Sequence, residues 1–478
     1  MSRITAGIIM LSLVLAGCGG GDSGGGTATS GGTTTTPPTS NTCSLLDRQN
    51  WAFAQLNEWY LFAETLPASL SPTPYATVTD YIDALTATAR GENRDRYFTY
   101  LTSIAQENAF LSSGSSAGFG IRIANDATAR RSFVMEAFEG TTALAAGIDR
   151  GDEILAIGDT PTTLRNVSDI IAAEGTAGVT SALGPSTAGV TRTLHVSGPA
   201  GTRTLTVAKA DYALTPVSSR YGAQVITDGG LRVGYFNLRT FISTADPALR
   251  AAFDSFRAQG ITNFIIDFRY NGGGLVSTAE LMGDLLGGNR TTSNIFSQTT
   301  YRTSKSSRNS VRRFAPASQS VSPVKIAFIG TAATASASEF VINAFIPYLG
   351  TNMALVGTNT YGKPVGQIAL DRSACDDRLR VVAFSTRNSA NSDSYFNGLA
   401  TTVPVTCRAI DDYTQPLGTA AEASTRAALD FLQGQSCTAI AASGQTSAAV
   451  RSVPAASPLE MLTPLAPSPA QREVPGSF

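Results

Sequence analysis

The sequence predicts a layered α/β domain over residues 222–437, preceded by a mainly-β domain over 109–214 and a small helical domain over 43–105. Two patterns carry this. After residue 222, short apolar runs of strand length alternate with helix-length amphipathic stretches, as when strands are covered by helices in layers. Between 109 and 214, apolar and polar residues alternate over short stretches broken by glycine, the two-residue period of half-buried strands.

The elements follow in order. Residues 1–18 read as an export signal: Arg3 precedes an apolar run over 4–15, too short and wrongly flanked for a stable membrane span. The ending Leu15-Ala16-Gly17-Cys18 resembles a bacterial lipobox. That resemblance implies cleavage before Cys18, lipidation of its thiol and anchoring in a bacterial cell envelope, each buried methylene adding about 0.8 kcal/mol. Gly19 after the cysteine favours, by analogy with enterobacterial sorting, an outer-membrane position facing the periplasm. Residues 19–42 are nearly all Gly, Ser, Thr and Pro and read as a flexible tether.

In the helical domain, Trp51, Leu56, Trp59, Tyr60 and Phe62, then Tyr81, Ile82 and Leu85, recur at helical spacing, with Pro-rich 66–75 between. The β-domain opens on Gly118-Phe119-Gly120-Ile121 and continues to Ala146-Gly147-Ile148-Asp149-Arg150-Gly151-Asp152-Glu153-Ile154-Leu155. Together these stretches resemble a PDZ domain. The resemblance implies that Gly118, Phe119, Gly120 and Ile121 form a loop whose N–H groups cradle a terminal carboxylate, while a strand edge adds the peptide by β-augmentation. Residues 167–173 would be the helix beside that groove. A β-domain without a peptide site is the alternative.

In the α/β domain, 233–238, 265–268, 326–329 and 354–357 read as strands. Asp246 and Pro247 open a helix, as N-cap and first helical residue, and Gly260 stops it. Residues 438–478 are rich in Ala, Ser and Pro and read as a disordered tail. Cys43, Cys375, Cys407 and Cys437 are an even set in an exported chain, so two disulfides are expected, with three connectivities open, of which Cys375–Cys407 with Cys43–Cys437 is the one favoured here, and free buried thiols the alternative.

A formal net charge of −1 gives no field to steer nucleic acid. The only histidine, His195, lies in an alternating strand, which excludes a site of several zinc-binding histidines and leaves a Ser-His-Asp triad one candidate. No cofactor and no metal site is implied. Three segments after strands stand out instead: Asp267-Phe268-Arg269-Tyr270-Asn271-Gly272-Gly273-Gly274, Thr334-Ala335-Ser336-Ala337-Ser338-Glu339, and Tyr361-Gly362-Lys363-Pro364-Val365-Gly366-Gln367. Strand ends of α/β sheets are where sites form. A serine at a loop-to-helix junction needs a base, and with histidine scarce a lysine held neutral by burial suits that role.

At these residues the chain resembles the carboxyl-terminal processing, or tail-specific, protease family. The resemblance implies a crotonase- or Clp-protease-like layered core, Ser336 as nucleophile, Lys363 as base and Gln367 orienting it. It further implies Gly273 and Ala337 as oxyanion donors, with Glu339 supporting the loop and Ser338 structural. Two departures stand out: the 27-residue step from Ser336 to Lys363 is long, and Pro364 replaces a glycine. The expected function is a serine endopeptidase acting through an acyl-enzyme on envelope or secreted proteins, with PDZ recognition of their C-termini. The alternative is a non-catalytic PDZ scaffold of the envelope. An ester or lactam hydrolase lacks a Gly-X-Ser-X-Gly at a predicted strand-to-helix elbow and a Ser-X-X-Lys opening a predicted helix. Oligomeric state is left open.

Overall fold

The computed structural model describes residues 43–441 and 459–478. Cys18 and the tether therefore lie outside the described residues, as do residues 442–458. The α/β domain is built on a six-stranded sheet in which spatial order follows chain order: Ala223–Asp228, Leu231–Asn237, Asn263–Asp267, Lys325–Gly330, Met353–Gly357 and Thr406–Arg408. The first pair is antiparallel and the rest are parallel. Parallel neighbours require crossovers, and these carry the helices Ala245–Ala258, Val276–Leu286 and Ala337–Leu349. All three pack on one face of the sheet, against Phe236, Phe264, Ile266, Phe328 and Leu355. The alternate residues Tyr235, Ile265, Ala327 and Val356 face the helix Ala423–Leu432 on the other side. Burial on both faces explains why these strands read as unbroken apolar runs. The expected N-cap differs: the helix starts at Ala245 behind Thr244, and Asp246 in its first turn accepts from Thr278 Oγ1 at 3.1 Å.

A second sheet holds Tyr100–Ser103, Ile295–Tyr301, Ser310–Arg313, Val365–Arg372 and Asp377–Arg387. The helices Leu45–Trp59 and Val78–Leu85 bury Leu56, Tyr81 and Ile82, with Tyr60 just past the first, against Val365, Leu379 and Val381 of this sheet. The segment expected as a small helical domain thus shares its core with the strands that follow Lys363.

The disulfides join Cys43 to Cys375 and Cys407 to Cys437, not the expected pairs. The topology gives the reason. Cys375 sits in the turn between Val365–Arg372 and Asp377–Arg387, beneath the start of the first helix, where Arg48 pairs with Asp377 at 2.6 Å. Cys407 lies on the edge strand of the central sheet, and Arg408 N–H beside it donates to Thr438 O, next to Cys437.

The mainly-β segment forms a seven-stranded sheet that includes Ile121–Asp126, Arg131–Ala137, Glu153–Gly158, Thr191–Gly198 and Gly201–Ala208. The helix expected over 167–173 runs over Val167–Leu183, broken in its regular dihedrals at Gly175. His195 lies on this sheet, half-buried, with Nδ1 2.9 Å from Thr204 Oγ1. The tail expected to be disordered is ordered over 459–478: it contributes the strand Glu460–Met461 and the helix Pro469–Glu473, and it buries Leu462, Ala470, Val474 and Phe478.

Candidate active site

Ser336 sits at the junction between the strand Lys325–Gly330 and the helix Ala337–Leu349, at φ 54° and ψ −114°. A side chain at positive φ is strained, and such strain persists only where surrounding bonds over-determine it. Those bonds are present. Ala335 N–H and Ser338 Oγ both donate to Asn271 O, at 3.1 Å each, and Thr334 Oγ1 donates to Phe268 O at 2.7 Å. The serine turn is therefore fastened to the loop 267–274. Ser338 is fully buried in that fastening, which leaves Ser336 as the serine lining a cavity.

That cavity is about 20 Å³, enough for roughly one water, and Ser336, Ala337, Gly274 and Lys363 all line it. Lys363 Nζ donates to Gln367 Oε1 at 2.9 Å and lies 5.1 Å from the centre of the Phe98 ring. Among the described residues no bond joins Nζ to Ser336 Oγ. Burial pushes the lysine below its usual range, opposed by the charges of Glu473 and Asp95. Gln367 in turn donates its Nε2 to Phe98 O, which fixes which end of the amide meets the lysine. Phe98 is held by Asp95, whose carboxylate accepts from Phe98 N–H at 2.7 Å and Tyr60 OH at 2.8 Å. Sequence reasoning missed Phe98 and Asp95. They lie more than 260 residues from Lys363, and no motif marks them.

Glu339 ties the two halves together. Its Oε1 accepts from Thr360 Oγ1 and Gly362 N–H, both at 2.6 Å, and its Oε2 from Lys363 N–H at 2.7 Å and Ser336 N–H at 3.1 Å. Burial pushes this carboxyl up to about 7, against the four donors that hold it down. The arrangement needs the ionised form, because a proton on either oxygen meets two donors. Activity is therefore expected to rise with pH through about 7. Stability runs the other way: the raised value contributes stability fully present below 4.5 that is lost as pH rises through about 7. Glu339→Gln turns one acceptor into a donor facing two others, an unsatisfied contact of about 1–3 kcal/mol. The expected kcat/KM is about 10- to 100-fold lower, with the pH step near 7 absent. A variant that keeps the wild-type pH profile excludes this role.

Gly273, expected to donate to an oxyanion, has its N–H engaged by Asn271 Oδ1 at 2.9 Å. It remains essential in shape: it sits at φ 127°, and a Cβ there would stand 2.8 Å from Ser336 Cβ. The N–H groups of Ala337 and Gly274 have no acceptor among the described residues, and both residues line the cavity. Distance along the chain cannot distinguish Gly273 from Gly274; the backbone turn does. The other expected site, Gly118, Phe119, Gly120 and Ile121, links the two-stranded sheet of Ser115–Gly118 and Ala210–Ala213 to the strand Ile121–Asp126, and there Gly120 and Ile121 N–H donate to Phe478 O at 2.9 and 3.2 Å.

A strained serine at a helix start, a half-buried lysine across a one-water cavity and two unengaged N–H groups beside them fit the layout of a serine hydrolase. Residues 232–402 match Peptidase family S41, and the chain carries a domain of that family of serine-type peptidases. The chain is 26% identical over 183 residues to carboxyl-terminal-processing peptidase 3, chloroplastic, from Arabidopsis thaliana, covering 37% of this chain and 34% of the relative. It thus spans about a third of that relative's length. The crystal structure of a candidate S41 protease from Bacteroides fragilis shares the fold, with TM-score 0.62 and 21% identity over 80% of this chain and 97% of the other.

Proposed function

We propose that this chain is a serine endopeptidase in which Ser336 attacks the scissile carbonyl and Lys363, neutral, takes its proton. The observation that carries the reading is the lysine's setting: Nζ is bonded to a neutral amide, walled by Phe98, and lines the same cavity as Ser336. Ala337 and Gly274 N–H receive the developing oxyanion; one such donor is worth about 3–4 kcal/mol. The ammonium of Lys363 then returns the proton to the leaving amine, and a water freed of its proton by the same lysine releases the acyl group from Ser336. Gln367 acts through Lys363 as a positioning residue.

The loop Gly118–Ile121 supports PDZ-type recognition of polypeptide C-termini, since its consecutive N–H groups converge on one oxygen. Two disulfides accord with an exported chain, and Cys18 with a lipid anchor on a bacterial envelope, at the outer membrane facing the periplasm. Substrates are then envelope or secreted proteins. A fluorophosphonate reagent that phosphonylates activated serines tests the site: peptide mapping is expected to find the adduct on Ser336 and none on Ser338. Labelling of another serine, or labelling unaffected by Ser336→Ala, sinks the assignment.

A further inference from the structure

Residues 459–478 lie along the edge of the strand Ile121–Asp126 and touch it twice. Glu460 and Met461 pair antiparallel with Asn125 and Ala124. Further on, Ile123 N–H donates to Gly476 O at 2.8 Å and Phe478 N–H to Ile121 O at 2.9 Å, while Phe478 O takes the N–H groups of Gly120 and Ile121. The Phe478 side chain, 2% exposed, enters the apolar core with Phe119, Ile121 and Leu462. Gly118 allows the approach, since a Cβ there would stand 2.6 Å from Phe478 C. Every feature of β-augmentation is present, with the chain's own segment as the peptide.

The same segment reaches the glycine loop beside the catalytic cavity. Its helix Pro469–Glu473 is capped by Ser468 and Gln471 and buries Ala470 and Val474 against Phe110, Phe138 and Ile242. At its end Glu473 O accepts the N–H of Gly272 at 3.0 Å, in the loop that carries Gly273 and Gly274. The Glu473 carboxyl lies beside the serine turn, its Oε2 3.3 Å from where a Cβ on Gly273 would stand. Burial pushes that carboxyl up, and Lys363 is the first charge holding it down. Arg122 clamps both parts, donating Nη1 to Pro475 O at 2.7 Å and to Tyr270 O at 2.9 Å.

We propose that residues 459–478 are a resident ligand of the chain's own peptide groove, which plugs the catalytic cavity with Glu473 until a polypeptide of matching C-terminal chemistry displaces it. The groove defines that chemistry. The residue whose carbonyl meets Gly120 and Ile121 is aromatic, by the depth at which Phe478 is buried. The residue two before it is glycine: Gly476 sits at φ 83°, with Ile123 O 2.7 Å from where its Cβ would stand. Room for an incoming chain exists beside the tail, in a cleft of about 650 Å³ between Thr463–Pro469 on one side and Ala177, Thr180 and Ser181 on the other. The displacement itself is independent of the peptidase reading; only its effect on hydrolysis rests on it.

The test uses the full chain and the synthetic pentapeptide Val-Pro-Gly-Ser-Phe, which fills the groove but lacks the Glu473 plug. In the unaltered chain, excess peptide is expected to raise hydrogen exchange at the Val474 and Phe478 amides and to speed hydrolysis of an unfolded protein. In the Phe478→Asp chain, the fluorescein-labelled peptide binds about 10- to 100-fold tighter than in the unaltered chain, because the competitor has lost its buried anchor. The peptide Val-Pro-Val-Ser-Phe binds neither. Unchanged exchange with equal binding to both chains overturns the proposal. Hydrolysis that neither the peptide nor Phe478→Asp alters also overturns it and leaves the peptidase intact. Displacement without hydrolysis by any form supports the resident ligand and overturns the peptidase reading.

Discussion

Replacing Lys363 by methionine is expected to lower kcat by about 10³- to 10⁴-fold, the upper range for loss of a general base. Methionine matches the length of the stem and removes the amine with its contacts to Phe98 and Gln367, so the loss reports the amine and not the packing of the stem. Lys363→Arg serves as the second arm: guanidinium does not deprotonate at working pH, so it keeps the charge and loses the base just as fully. The stability readout separates mechanism from damage. Burial lowers Lys363 below its ordinary 10.5. Its folded state therefore binds fewer protons than the unfolded chain, and its contribution to stability is lost as pH falls below 10.5 towards the lowered value. Methionine removes this, so its thermal midpoint at neutral pH holds or rises while turnover collapses. Retention of more than about a tenth of wild-type kcat in either variant, against the 10²-fold minimum for a base, removes Lys363 from the mechanism. In the unaltered chain kcat/KM is expected to climb with pH for two reasons that share a sign: the proposed base must be neutral and Glu339 ionised.

The parts of this fold that were legible in the sequence are those written in side-chain periodicity. The strands Asn263–Asp267, Lys325–Gly330 and Met353–Gly357 are apolar because both sheet faces are covered, and each was read within two residues of its ends. Ser336, Lys363 and Gln367 stood out through their motifs, whose family resemblance proposes their roles, and the single histidine only turned attention to a lysine base. What stayed hidden was carried by backbone atoms or by contacts between distant segments. The tail joins a strand edge through N–H and C=O groups, which leave no trace in composition, and a handful of buried residues such as Leu462, Val474 and Phe478 suffices to dock it. Its Ala-, Ser- and Pro-rich sequence therefore reads as disorder. Phe98 and Asp95 meet Lys363 only because the first helices share a core with the Val365–Arg372 hairpin. Cysteine connectivity depends on the same docking, since Cys43 finds Cys375 only once that helix lies across the turn.

Arg269→Met is expected to destabilise the chain by about 3–5 kcal/mol, the range for removing one partner of a buried charge cluster. Arg269 is fully buried at the end of the strand Asn263–Asp267, immediately before the loop that carries Asn271 and the glycines. Its guanidinium meets three carboxylates: Asp267 and Glu422 at 2.9 Å and Asp411 at 3.1 Å. Asp411 keeps Arg150 at 3.1 Å after the substitution, but Asp267 and Glu422 are left without a cation. Burial alone would push Glu422 up; the charge and hydrogen bond of Arg269 hold it down to about 2. Glu422 is also the cap of the helix Ala423–Leu432, accepting from Thr425 N–H at 2.8 Å, so its protonation loosens the far face of the sheet as well. The pH dependence identifies the cause. In the unaltered chain Glu422, depressed from 4.5, contributes stability that is present above 4.5 and lost as pH falls through about 2. Without Arg269 the carboxyl sits above 4.5 and that contribution is gone, so the gap between the two chains is widest at neutral pH and narrows as pH falls below 4.5. Urea unfolding at pH 7.5 and pH 4 measures both ends. A difference under about 1 kcal/mol, the scale of an exposed pair, or one equal at the two pH values, places the stability of the loop elsewhere. If the gap appears as expected, the loop that presents Gly274 to Ser336 is held by charge from beneath.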